Sequence, residues 1–197
     1  MAAHVNTVAF QGIETLAIDV QVTMANGLPA FTVVGLPDKA VGESRERVRA
    51  ALGALGLGLP SKRITVNLSP ADVQKEGSHF DLPIALGLLI AMEVLSGEEV
   101  GRYAALGELS LDGAIAPVAG VLPAAIGAHA EGLGLICPAA SGGEAAWAGE
   151  VEILAAPSLL ALINHFKGLQ VLTPPEPAEG RAEAAPPDLA DIKGQEA

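Results

Sequence analysis

Hydrophobic positions recur with two different periods along the chain. Leu16, Ile18, Val20 and Val22 alternate with polar or small residues, the period-two pattern of a half-buried strand. His4 to Phe10 reads as a weaker strand before it, and Phe31 to Val34 as a strand after it. Asn26-Gly27 separates the last two and predicts a hairpin turn. The period then changes. Asp38 is placed to cap a helix in which Val41, Val48, Leu52 and Leu55 share one face, ending in the Gly-rich stretch Gly56 to Pro60. Ile64, Val66 and Leu68 give a fourth strand, closed by Ser69-Pro70. Asp81 is placed to cap a second helix, Leu82 to Leu95, apolar almost all round and therefore expected at the centre of the molecule.

Beyond that helix the pattern predicts a strand over Ala105 to Leu111, with a turn at Asp112-Gly113. A helix over Val121 to Ala130 and a strand over Gly134 to Cys137 follow, then a short helix at Glu144 to Trp147, a strand at Val151 to Leu154 and a helix at Ser158 to Phe166. Strands alternating with helices predict a βαβ-type C-terminal half with parallel strands covered by helices. The fold class expected is α+β, an α/β mixture. After Gly168 the composition changes. Residues 169–187 are rich in Pro and Glu, as in an extended, solvated linker, and residues 188–197 read as the start of a further module.

Composition narrows the function classes. The chain has 197 residues, half of them hydrophobic and only 3% aromatic, so Ala, Leu, Val and Ile must build the core. The net charge of −12 argues against a general nucleic-acid-binding surface. The charge is uneven, however. Seven of the eleven basic residues lie between Lys39 and Lys75, opposed there only by Glu43, Glu46 and Asp72. The basic helix reads either as a solvated face with weak ion pairs or as a contact surface for nucleic acid or a neighbouring subunit. A single cysteine, Cys137, cannot form an internal disulfide, and the expected setting is cytoplasmic. The longest apolar run, Leu82 to Met92, is too short to span a bilayer, so no membrane partner is expected.

Sequence chemistry is sparse. There is no Gly-Lys-Ser/Thr of a phosphate-binding loop and no G-x-G-x-x-G. His4, His79, His129 and His165 lie far apart without metal-ligand spacing and read as surface or capping residues. No cofactor or metal is expected within residues 1–197.

Three stretches carry a family resemblance: GLPAFTVVGLPDKAVGESRERVRAAL (Gly27 to Leu52), ITVNLSPADVQKEGSHFDLPIALGLL (Ile64 to Leu89) and GELSLDGAIAPVAGVLPAA (Gly107 to Ala125). Together they resemble the N-terminal domain of the ComM/YifB proteins, the magnesium-chelatase-related AAA+ family, with the resemblance running from about Val5 to Phe166. It implies the ribosomal protein S5 domain 2-like fold, shared with the proteolytic domain of Lon, for residues 1–168. The closing DIKGQEA resembles the entry to an AAA+ module. The resemblance further implies a ring-forming homo-oligomeric parent that uses ATP and Mg, with DNA as a candidate partner.

The likeness to Lon allows a test of catalysis. Active Lon-type peptidases carry K-D-G-P-S-A-G, whose Ser attacks, and a later motif whose Lys is the general base. Aligned on those motifs, the nucleophile position here is His79 and the base position is Leu122. Ser78 stands one residue early and fits an S-x-x-D capping arrangement with Asp81, and no lysine lies between Lys75 and Lys167. The expectation is a non-catalytic segment in which Lys39, Arg45, Arg49, Lys62 and Arg63 make the DNA or subunit contact. A peptidase using a displaced nucleophile, Ser78 or Ser69, and a stand-alone binding or regulatory domain are the alternatives.

Overall fold

A computed structural model describes residues 2–178. Its centre is a seven-stranded sheet built from strands β1 (Ala3–Gln11), β2 (Glu14–Ala25), β3 (Ala30–Val34), β4 (Arg63–Ser69), β5 (Tyr103–Ala105), β8 (Gly134–Pro138) and β9 (Ile153–Ala156). Their order across the sheet is β3-β4-β2-β1-β5-β8-β9. Strand β2 is antiparallel to both neighbours, and every other pairing is parallel. Two short strands, β6 (Glu108–Leu109) and β7 (Ile115–Ala116), form a separate ribbon. The helices are α1 (Asp38–Ala54), α2 (Asp81–Ala91), α3 (Gly97–Val100), α4 (Val121–Ala130), α5 (Gly142–Ala145) and α6 (Leu159–Phe166). This is the mixed α/β class expected, with a parallel C-terminal half, and it is consistent with an S5-type layout.

Alternation along the strands sorts side chains onto two faces. One carries Val5, Ala9, Ile18, Val20, Val22, Ile64, Val66 and Leu68, and packs on α1, α2 and α6. The other carries Val8, Ala104, Leu106, Leu135 and Cys137, and packs on α4 and α5. Helix α2 is the buried central helix, with every residue from Asp81 to Leu89 inside. Gly87 lets it approach the sheet, since a Cβ there would fall 2.6 Å from Val22 Cγ2.

Several expectations are corrected. Asn26-Gly27 does not close a hairpin, because β4 inserts between β2 and β3 and pairs with both. The hairpin joins β1 to β2, through Gly12 at φ 64°. Helix α1 begins at Asp38 itself, with Pro37 in the N-cap position and no side-chain cap bond. Asp81 likewise lies inside α2, with Phe80 in the N-cap position. That helix stops at Ala91, where Met92, Glu93 and Val94 turn back on its last carbonyls. The strand expected over Ala105 to Leu111 is broken: β5 ends at Ala105, and the chain leaves the sheet at Leu106–Gly107 to build the β6–β7 ribbon around Asp112-Gly113. Residues 169–178, the described part of the stretch read as an extended, solvated linker, form no helix or strand and are mostly exposed, with bonds to His165, Trp147 and Gly143. Residues 188–197, read as the entry to a further module, lie outside the described residues.

Candidate functional site

The three motif stretches converge on one carboxylate. Asp81, completely buried at the start of α2, receives Arg47 Nε at 2.5 Å and Arg47 Nη2 at 3.1 Å. The backbone N–H of Leu109 donates to the same carboxylate at 3.2 Å. Arg47 comes from the first stretch, Asp81 from the second and Leu109 from the third. Burial drives the Asp81 carboxyl above its ordinary value, and Arg47, the nearby Ser44 hydroxyl and the Leu109 N–H act against that rise. Its hydrogen bond to Asp81 pushes Arg47 further up, so its guanidinium stays charged. A bidentate contact of this kind is a strong, directional ion pair. The expected capping role of Asp81 is therefore replaced by an internal ion pair, and the Ser78–Asp81 capping arrangement does not form. Ser78 contributes instead its backbone carbonyl, which accepts from Asp81 N at 3.1 Å.

Backbone bonds lock the third stretch onto the second. Gly107 N donates to His79 O, and Leu82 N donates to Gly107 O, both at 3.0 Å. Glycine is required at 107 by close approach: a Cβ would lie 2.7 Å from Ile115 Cγ2 and 3.2 Å from Leu82 Cδ2.

His79, which the resemblance to Lon aligns with the nucleophile position, is a buried residue and not the surface or capping residue its spacing suggested. Its Nε2 donates to Val8 O at 2.9 Å. Phe10 meets the imidazole edge-on at 5.3 Å between centroids, and Phe80 lies against it at 4.0 Å. Burial lowers its pKa, outweighing the Val8 bond and the Asp81 charge, so the neutral ring is favoured. Leu122, which the same resemblance aligns with the base position, lies in the first turn of α4, its N–H directed to Glu144 Oε1 at 3.3 Å. The loop before it, Pro117 to Ala119, shares a cleft of about 510 Å³ with Phe10 and His79. Phe10 also packs on Gly120, where a Cβ would fall 2.7 Å from the ring. The two motif segments thus meet over an aromatic ring, with no amine between them among the described residues.

Lys75, counted at sequence level with the basic surface, is buried. Its Nζ donates to Pro70 O and, at 2.8 Å, to Val73 O, so it ties the 70–78 loop together from inside. Ser69 and Ser78, the alternative nucleophiles, are both half-buried.

The basic residues divide. Arg49 and Lys62 line one pocket of about 310 Å³ with Phe31 and Ser61, beside edge strand β3. Arg45 Nη1 reaches Phe31 O at 3.3 Å, so it belongs to the same end of the sheet. Arg63 begins β4, opposite Ala30 and Ala25 in register. Lys39 stands apart at the first turn of α1, its side chain 90% exposed and 3.8 Å from Glu43. Four of the five residues therefore gather at one end of the molecule. Sequence reasoning missed Arg47, the arginine that points inward; the available signal was a charged residue, Asp81, opening a helix otherwise wholly apolar. Among the described residues, no group of three His, Cys, Asp or Glu side chains could hold a metal ion, and no helix is long and apolar enough to cross a membrane.

Comparison with known proteins gives a context for this geometry. Residues 20–141 match the family model of subunit ChlI of Mg-chelatase. The chain is 38% identical over 192 residues to the uncharacterized protein YifB of Escherichia coli, covering 98% of this chain and 38% of that protein. It is 37% identical over 195 residues to competence protein ComM of Haemophilus influenzae, covering 95% of this chain and 38% of that one. It is also 35% identical over 190 residues to the uncharacterized protein Rv2897c of Mycobacterium tuberculosis, covering 96% of this chain and 38% of its relative. The chain thus spans well under half the length of these relatives. The matched family model covers the Arg47–Asp81–Leu109 junction together with His79 and Leu122, and the chain belongs to the Mg-chelatase subunit ChlI family, in its YifB and ComM branch.

Proposed function

We propose that this chain is a non-catalytic domain of a ComM/YifB-type AAA+ ATPase, working in the cytoplasm, that supports ring assembly and engages DNA for a branch-migration motor. ATP and Mg would be used by the parent's ATPase module and not by the residues described here. One observation supports the non-catalytic reading above others. The side chain at the nucleophile position, His79, is buried and bonded to Val8 O, and the nearest lysine along the chain, Lys75, is bonded to two backbone carbonyls. Neither can serve as the attacking hydroxyl or the deprotonated amine of a Ser-Lys dyad.

Contact falls to the basic end of the sheet, where Arg45, Arg49, Lys62 and Arg63 gather while the rest of the chain is acidic. Lys39 stands apart from that end, exposed at the first turn of α1. The test uses the full-length parent protein with Arg45, Arg49, Lys62 and Arg63 changed to Glu together. DNA affinity is measured by anisotropy at two salt concentrations, and assembly by mass photometry. Weaker binding with a shallower salt slope, by about 0.9 for each phosphate no longer neutralised, supports DNA engagement. Loss of the ring with intact protomers supports the assembly role. If both properties are unchanged, these residues have neither role. Labelling by a serine-reactive phosphonate that disappears in Ser78→Ala overturns the non-catalytic reading.

A further inference from the structure

The chain leaves α6 at Gly168 (φ 67°), and Leu169 N turns back to Asn164 O at 2.8 Å. It then runs along the outer side of α5 and β9. Leu172 N donates to His165 Nδ1 at 3.1 Å. At the far end, Trp147 Nε1 donates to Ala178 O at 3.1 Å, and Ala178 N donates to Gly143 O at 3.0 Å. Between these anchors, Pro174, Pro175 and Pro177 line a groove of about 440 Å³ with Ile153, Leu154 and Ala146. Two glycines of α5 meet the segment closely. A Cβ on Gly142 would come within 3.0 Å of Pro175 Cβ, and a Cβ on Gly143 within 3.0 Å of Ala178 Cβ.

We propose that the surface formed by α5, Trp147 and β9 is a binding site for an extended proline-rich segment, covered by this chain's own residues 171–178, and that the two form a reversible clasp fixing where the chain leaves the domain. Recognition of this kind is physically inexpensive. Proline holds φ near −65° in the free chain, so little conformational entropy is lost on docking, and Trp147, 61% exposed, contributes one hydrogen-bond donor. Glycines at 142 and 143 admit the segment's backbone to bonding distance. The clasp has a mechanical consequence. A free, extended proline-rich tether of ten residues after Gly168 would carry its end up to about 31 Å away in any direction. Docked, residue 178 is held beside α5, and the chain departs from a fixed point. Movement of this domain is then passed along the chain without slack.

Trp147 is the chain's only tryptophan, so it reports the clasp directly. The experiment compares the full chain with Gly143→Val, whose side chain would land on Ala178, and with the triple change Pro174→Gly, Pro175→Gly, Pro177→Gly. Readouts are Trp147 emission and exchange of its indole N–H with solvent, with amides of α2 as a control for folding. The expected result is a red-shifted emission in both variants and indole exchange about tenfold faster, as for the loss of one hydrogen bond. A synthetic peptide of residues 170–178, added in excess, should return the triple-glycine variant to the wild-type signal and leave Gly143→Val unchanged. If Gly143→Val does not fold, the triple variant carries the test alone. Wild-type indole exchange as fast as that of free tryptophan overturns the clasp. So does a wild-type signal that depends on protein concentration, which would assign the occupant to a second copy.

Discussion

Arg47 and Asp81, 34 positions apart in sequence, form a two-pronged ion pair where α1 meets the start of α2. The carboxylate has no solvent exposure and the arginine side chain only 22%. A third element joins them, since Leu109 N donates to the same carboxylate. The pair thus fastens the three stretches by which the family is identified.

Removing one partner should cost far more than removing both. Arg47→Met leaves a buried carboxylate without its counter-charge and is expected to lower stability by about 3–5 kcal/mol. The double variant Arg47→Met, Asp81→Leu should recover most of that loss, although Leu109 N then lacks its acceptor. Urea denaturation of the wild type, the two single variants and the double variant gives the coupling as a double-mutant cycle. Additive single effects would mean that the pair is not coupled.

Acid should weaken the fold through His79. Burial depresses its pKa in the native state, whereas the unfolded chain takes up the proton near pH 6.5. The unfolded state therefore binds more protons below that point, and stability falls as pH drops from about 6.5 toward the native pKa. Thermal melting from pH 7.5 down to 5.5 should show this decline. In His79→Gln the slope should flatten over the same window, although the melting temperature at pH 7.5 drops. An unchanged slope in that variant would place the effect on another group.

Gly107→Ala should be destabilising although it adds a single methyl. The new carbon would sit 2.7 Å from Ile115 Cγ2, inside van der Waals contact. Overpacking of this kind costs about 1–3 kcal/mol. Because Gly107 is bonded to both His79 and Leu82, the amide signals of these residues should move in a heteronuclear spectrum, whereas those of β8 and β9 should stay in place.

Cys137 should be silent toward thiol reagents in the native protein. It is fully buried on β8, and burial together with the nearby Glu144 pushes its thiol up to about 12. At pH 8 the thiolate, which is the reactive form, is scarce as well as inaccessible. A chromogenic disulfide reagent should label it only after urea unfolding, and the native labelling rate should follow the unfolding equilibrium. Rapid native labelling would show that α4 and α5 open independently of the sheet.

Legibility followed the range of the interactions involved. Alternation in Leu16 to Val22 and Ile64 to Leu68 located β2 and β4, and the all-apolar run after Asp81 marked the central helix, because those patterns depend only on which sides of an element meet water. Helix α4 was readable as Val121 to Ala130, the bounds it has in the structure. The order of strands was not readable. Asn26-Gly27 has the residues of a tight turn, but β2 and β3 each gain more by pairing with β4, which arrives some thirty residues later. Local turn chemistry cannot report a competitor that distant.

The site shows the same division. Sequence alone, through the resemblance to Lon, aligned His79 and Leu122 with the two dyad positions, because residue identities need no geometry. It also determined that basic residues concentrate between Lys39 and Lys75. Tertiary structure decided what each of those charges does: Arg47 turns inward to Asp81, Lys75 closes a loop on its own carbonyls, and Arg45, Arg49, Lys62 and Arg63 gather beside β3. The reason is physical. A charged side chain looks the same in sequence whether it faces water or a buried partner, and only the packing of distant elements removes the water and selects between them.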